Sequence, residues 1–249
     1  MYVDILEMKG FYAEPAGIVA KRLIGLWVHK LWPDMAGLDV AGIGYTPPFL
    51  AGMRRSAERV LTLMPAAQGV VRWPPEGRST SALIDETDLP LTNGALDAVL
   101  IAHALEATHD PGALLGEVWR VLKPEGRVMV IVPNRRGVWA RSDISPFGHG
   151  RPYSRPQLAR LLQQAEFEPR RWVDALYVPP FRSGFLLRLA PAFERFGTLL
   201  RLPVSGVLIV EAVKMAHGIQ PVRVRPIERR VPALAGEPVI GASRISGDR

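Results

Sequence analysis

The sequence predicts an α/β fold built on a mostly parallel sheet with helices on both faces. Three observations carry that expectation. Over residues 36–135, short apolar runs alternate with helix-length stretches, the pattern of strands joined by crossover helices. Within the runs polar residues do not alternate with apolar ones, as expected of strands covered on both sides. The first run ends in the glycine pair of Gly42-Ile43-Gly44, and the proline turn Thr46-Pro47-Pro48 follows.

The elements follow in order. Residues 1–35 read as a helical segment, with Ile18, Leu23, Leu26, Trp27, Leu31 and Trp32 near one face. Strands are expected at 37–44 (GLDVAGIG), 59–64 (RVLTLM), 80–85 (TSALID), 96–103 (LDAVLIAH) and 126–133 (GRVMVIVP). Before the fifth strand, Asp110 is placed to cap a helix and Pro111 to open it. Leu114, Leu115, Val118, Val121 and Leu122 form its apolar stripe, and Lys123-Pro124-Glu125-Gly126 stops it. Beyond residue 136 come a loop, a helix opened by Ser154 with Pro156 in its first turn, and two more apolar runs. The last, SGVLIVEAVK, reads as an antiparallel strand at the sheet edge.

Residues 185–202, FLLRLAPAFERFGTLLRL, place Phe185, Leu189, Phe193, Phe196 and Leu200 on one face. Such a helix covers a sheet, forms a homodimer face or lies on a membrane surface. The expected organisation is therefore a helical segment (1–35), an α/β domain (36–213) and a basic Pro/Gly-rich tail (214–249) without fixed structure.

Composition narrows the function classes. A chain of 249 residues with 48% hydrophobic and 22% charged residues can bury one sizeable core. The sequence holds no cysteine, which excludes disulfides, thiolate metal sites and a cysteine nucleophile. No metal site is expected. The opening MYVDILEMKGFYAEP has acids and no apolar run, and no stretch is long enough to span a bilayer, so a cytoplasmic location is expected. The formal net charge is +7, and seven basic against three acidic residues from Lys214 onward put +4 of it in the tail. A nucleic-acid partner is therefore not expected, because the folded part lacks the surplus of basic residues that phosphate contacts require.

One stretch resembles a known family. LPLTNGALDAVLIAHALEATHDPGALLGEVWRVLKPEGRVMVIVPN is similar to the second half of a class I S-adenosylmethionine-dependent methyltransferase, of the methyltransferase type 11 kind. Leu89-Pro90, Asp97, Glu117, Arg120, Val121, Leu122, Lys123, Pro124 and Gly126 match its pattern. The likeness runs well over about residues 35–135 and more loosely to about 213. GIGYTPPFL, RWPPEG, VPNRRGVWAR and FGHGRPYS resemble a divergent bacterial subgroup with an altered glycine loop. The resemblance implies a Rossmann-like, mostly parallel seven-stranded sheet and S-adenosyl-L-methionine as cofactor. Gly42 and Gly44 take the first two glycine places of the family's cofactor loop, and Tyr45 is positioned to stack over the ligand. Asp85, with the Glu86 backbone beside it, takes the place of the acid that accepts from the adenine amino group.

Three positions depart from that pattern. Val40 stands where the family has an acid before the loop, Thr46 where it has a third glycine, and Met64 where it has the acid that binds the ribose. Losing a charge-assisted hydrogen bond to the ribose costs about 1.5–3 kcal/mol. Gln68 is the nearest side chain able to compensate.

On the acceptor side the sulfonium already activates the methyl group, so the protein has to align an acceptor and remove a proton. His103 ends the fourth strand, where ligands bind in open parallel sheets, and is a candidate base or cofactor-edge contact. A histidine held by structural hydrogen bonds is the competing reading, and Glu106 is read as capping or pairing locally. His149 and Tyr153 are the other catalytic candidates. They lie in a loop that also carries Arg135, Arg136, Arg141 and Arg151, able to clamp an anionic substrate. The leading function is methyl transfer to a small or lipid-like acceptor. The alternatives are a methyltransferase-like scaffold or regulator without catalysis and, less well supported by GIGYTP, a nicotinamide-dependent dehydrogenase.

Overall fold

The computed structural model describes residues 2–181, 187–200 and 202–215. Two helices open the chain, α1 (Ile5–Phe11) and α2 (Pro15–Leu31), followed by β1 (Asp39–Gly44) and the single turn α3 (Pro47–Leu50). Then come β2 (Arg59–Pro65), β3 (Ser81–Ile84), β4 (Leu96–Ala102), α4 (Pro111–Val121) and β5 (Leu122–Pro133). The last elements are α5 (Arg155–Gln164), β6 (Phe167–Ala175), α6 (Ala190–Leu199) and β7 (Val207–Lys214).

The seven strands form one sheet in the order β3-β2-β1-β4-β5-β7-β6. The first five run parallel, and β7 runs antiparallel to both β5 and β6. The predicted α/β architecture holds with one refinement. The antiparallel strand lies one place in from the edge, because Phe167–Ala175 adds outside it.

Alternate residues of each strand face opposite layers. On one side Val40, Met64, Leu100, Met129 and Ile209 pack under α1 and α2. On the other, Ile43, Leu63, Ile101, Val130 and Val210 pack under α4 and α5. The expected helix starts are present: Asp110 accepts from the Ala113 amide at 2.9 Å, and Ser154 forms a capping box with Gln157. Lys123-Pro124-Glu125-Gly126 both ends α4 and opens β5, with Glu125 in the left-handed region at φ 61°.

Two expectations are corrected. In α2 the buried stripe is Ala16, Ala20, Leu23, Ile24, Val28 and Leu31, while Ile18 and Leu26 are exposed. Positions 16, 20, 23, 24, 28 and 31 lie on one face of the helix, and Ile18 and Leu26 fall outside it. In α6 the apolar face is likewise exposed: Phe193, Phe196 and Leu200 do not cover the sheet. Phe185 and the tail beyond residue 215 lie outside the described residues.

Candidate functional site

The chain moves outward from β1 through β2 to β3, then returns to place β4 on the other side of β1. This reversal falls at the carboxyl ends of β1 and β4, the place where open α/β sheets have the crevice that binds ligands.

Gly42 and Gly44 line the β1 side. A methyl on Gly44, whose φ is +84°, would come within 2.2 Å of the Ala102 carbonyl on β4. A methyl on Gly42 would meet Thr46 Oγ1 at 2.0 Å and Leu50 Cδ1 at 2.5 Å. The altered loop thereby has a structural explanation, since Thr46 folds back into the hollow that Gly42 leaves. Its amide bonds the Gly44 carbonyl at 3.0 Å, and its own carbonyl takes the amides that open α3.

His103 follows β4 in the left-handed region, at φ 57°, a conformation that a non-glycine residue holds at a cost. Its ring is buried. Nε2 lies 2.7 Å from the Tyr12 hydroxyl, and Phe147 lies 4.7 Å from it, centroid to centroid. Burial, reinforced by Tyr45 and Glu106, pushes the Tyr12 phenol well above its ordinary value, so it keeps its proton beside Nε2. Nδ1 faces Glu106 Oε1 at 3.5 Å, long for a hydrogen bond. Tyr12, His103 and Glu106 thus form a row through the crevice. Gln68 closes it from the β2 side, its Nε2 donating to the His103 carbonyl at 3.0 Å.

The same place concentrates unsatisfied polar atoms. His103 Nδ1, both Glu106 carboxylate oxygens, Gln68 Oε1 and Thr46 Oγ1 are buried with no hydrogen-bond partner among the described residues. Each such group costs about 1–3 kcal/mol. Their cluster is therefore unfavourable for folding alone and is suited to receiving a ligand.

The remaining candidates are placed as follows. Tyr45 stacks on Tyr12 with centroids 5.6 Å apart and planes 22° off parallel. Asp85 is exposed and accepts from the Thr87 amide at 2.9 Å and hydroxyl at 2.7 Å, which holds its pKa below the usual carboxylate range. Glu86 accepts from Tyr2 and, at 2.5 Å, from Thr108. Tyr153 is buried and donates to the Leu105 carbonyl at 3.2 Å; burial, then the charge of Glu106, pushes its phenol up to about 12. His149 is exposed, and its ring bonds the Ser145 carbonyl of its own turn at 3.2 Å. The structure thus brings His103, Gly42, Gly44 and Tyr45 together, sets Tyr153 near Leu105, and leaves Asp85 and His149 in solvent. Met64, expected from the resemblance to stand at the ribose position, is fully buried, and its sulfur accepts from the Val71 amide at 3.4 Å.

Sequence reading missed Tyr12 and Phe147. The only local signal for Tyr12 is the aromatic pair Phe11-Tyr12 in the turn between two helices. The loop arginines 135, 136, 141 and 151 are exposed. Arg136 lines a cavity of about 780 Å³ at the β6 end of the sheet, with Trp27, Arg155, Trp172 and Tyr177, and no residue of the crevice lines it.

With this geometry in hand, residues 28–130 match the family model described as a methyltransferase domain. Over those residues the chain is similar to the class I S-adenosylmethionine-dependent methyltransferases. A stretch of 95 residues is 39% identical to a demethylmenaquinone methyltransferase of Thermus thermophilus, covering 38% of this chain and 36% of that protein. The chain thus spans about a third of that relative's length. A Thermotoga maritima structure described as a methyltransferase, possible histamine N-methyltransferase, shares the fold with TM-score 0.60 at 17% identity, over 85% of this chain and 96% of that one. Geranyl diphosphate C-methyltransferase from Streptomyces coelicolor, solved with S-adenosyl-L-homocysteine, shares it with TM-score 0.53 at 20% identity, over 76% and 77%.

The cofactor of this methyltransferase family is S-adenosylmethionine. Its ribose hydroxyls and its ammonium group are hydrogen-bond donors. The crevice holds unpartnered acceptors for such donors in Gln68 Oε1, Thr46 Oγ1 and the Glu106 carboxylate, so the polar set fits the cofactor in kind. Tyr12 and Phe147 cover His103 at this place.

Proposed function

We propose that the chain transfers a methyl group from S-adenosylmethionine to a lipid-like acceptor, with His103 as general base. The observation that carries this reading is the buried Tyr12–His103–Glu106 row at the sheet's switch point. When bound, S-adenosylmethionine supplies a methyl group made electrophilic by its sulfonium. Gln68 and Thr46 would hold the cofactor's polar groups in place of the ribose acid lost at Met64. Gly42, Gly44 and Tyr45 would form the wall beside them, and Asp85 with the Glu86 backbone the adenine end. His103 Nε2 would take the acceptor's proton once the Tyr12 hydroxyl has left it, and Glu106 would favour the imidazolium that forms. Tyr153 and His149 would act from the surrounding loop rather than as the base.

An apolar acceptor is favoured because aromatic rings enclose the row: Phe11, Phe49, Phe147 and Trp139 pack edge to face around it. The Thermus relative is named for a demethylmenaquinone acceptor, which agrees with this chemistry. A second reading, a methyltransferase-like scaffold without turnover, is favoured by Met64 and by Tyr12 lying over His103. Calorimetric titration with S-adenosylmethionine, S-adenosylhomocysteine and NADH separates the two. Binding of the first two alone, followed by methylation of a demethylated prenyl naphthoquinol, is the expected result. A folded protein that binds none of them would overturn it in favour of the scaffold.

A further inference from the structure

The sharpest feature outside the crevice is a surface shared by α2 and α6. In α6 the inward contacts are made by Gly197 and Glu194. Gly197 lies so close to Tyr177 that a methyl there would meet its ring at 2.1 Å. The Glu194 carboxylate accepts from the Leu176 and Tyr177 amides at 3.0 and 2.9 Å and also from Trp27 of α2. The only acid of α6 is therefore turned into the protein, and the same carboxylate ties α6 to α2.

What α6 presents outward is apolar and basic. Phe196 is 64% exposed, Leu199 78% and Leu200 62%, with Arg188 and Arg195 exposed beside them. α2 has the same character: its 17 residues include no carboxylate, and its outer side carries Ile18, Lys21, Arg22, Leu26 and Lys30. Soluble monomers seldom leave large side chains exposed in one place without a partner.

The charge pattern selects among partners. A second copy docked about a twofold axis would bring like cations together with no carboxylate to pair them. An anionic bilayer meets both requirements, since its acyl boundary takes the phenylalanine and leucines and its headgroups take the lysines and arginines. We infer that the joint α2–α6 face docks this protein onto anionic membranes. It does so as a peripheral surface, because no helix among the described residues is long and apolar enough to cross a membrane. The inference stands whether or not the crevice turns over.

The test uses the full chain and vesicles of phosphatidylcholine with and without phosphatidylglycerol, read by flotation. Wild type is expected to bind the anionic vesicles, and high salt to weaken that binding. Phe196→Ser with Leu199→Ser removes two apolar anchors and is expected to lower the partition constant about tenfold or more. Lys21→Glu with Arg22→Glu is expected to abolish the preference for anionic lipid. Both pairs lie on the surface, and unchanged melting temperatures check their fold. Failure of wild type to float overturns the inference, as does undiminished binding by both double variants, which would place binding in the basic tail. A wild-type dimer that the Phe196/Leu199 variant converts to monomer also overturns it, in favour of self-association.

Discussion

The Tyr12 hydroxyl and His103 Nε2 lie 2.7 Å apart across 91 residues of sequence. This one hydrogen bond joins the N-terminal helices to the end of β4 and occupies the nitrogen that the proposed reaction needs.

Removing the ring should therefore separate stability from access. Tyr12→Ala is expected to cost about 3–5 kcal/mol, as for deleting a large core aromatic. It should also tighten S-adenosylmethionine binding about tenfold by uncovering the crevice. Thermal denaturation and calorimetry on the same preparation measure both effects, and loss of stability with no gain in affinity would show that the cofactor does not enter there.

His103→Asn tests the base without disturbing the backbone, because asparagine tolerates the left-handed conformation held at φ 57°. The rate of methyl transfer should fall by about 10²–10⁴ while cofactor affinity stays near wild type. His103→Val, β-branched at the same φ, should instead lower the melting temperature.

Gln68→Ala removes the donor to the His103 carbonyl and the acceptor proposed for the ribose. A loss of about 1.5 kcal/mol in cofactor binding, roughly tenfold, is expected by titration. Met64→Asp should destabilise the fold rather than restore the missing acid, since Met64 is fully buried under the N-terminal helices.

Acid sensitivity should centre in part on Glu211. Burial pulls its pKa up, but hydrogen bonds from Arg171 and Trp32 outweigh that and hold it below the usual carboxylate range. Its contribution to stability is full above the unfolded value near 4.3 and is lost as pH falls through the lower folded value. Glu211→Gln should cost about 1–2 kcal/mol at neutral pH. The gap in melting temperature between variant and wild type should close as the solution is acidified through that window.

Sequence reading located what local chemistry determines. The five parallel strands, the Asp110 cap and the Ser154 capping box follow from apolar runs and residues within three or four positions of one another. Nothing local reveals that Tyr12 reaches His103, or that Phe147 folds over it, because both contacts arise only after the sheet brings distant segments together. The exposed side of α2 was misjudged because hydrophobicity ranks Ile18 and Leu26 above Ala16 and Ala20. Helical spacing instead sets Ala16 and Ala20 in the buried stripe with Leu23, Ile24, Val28 and Leu31. Thr46 looked like a lost glycine, and only its contact with Gly42 shows how the loop accommodates it.

The place of β7 between β5 and β6 has a consequence for biogenesis. Along the ribosome, β5 and β6 emerge before their shared neighbour does, and among the described residues β6 pairs with no other strand of the sheet. Until Val207–Lys214 leaves the exit tunnel, the open edge of β5 offers its unpaired amides and carbonyls to any passing strand. Nascent chains in which Phe167–Ala175 has left the tunnel and Val207–Lys214 has not should therefore be the ones that most need a chaperone, and emergence of β7 the step that releases them.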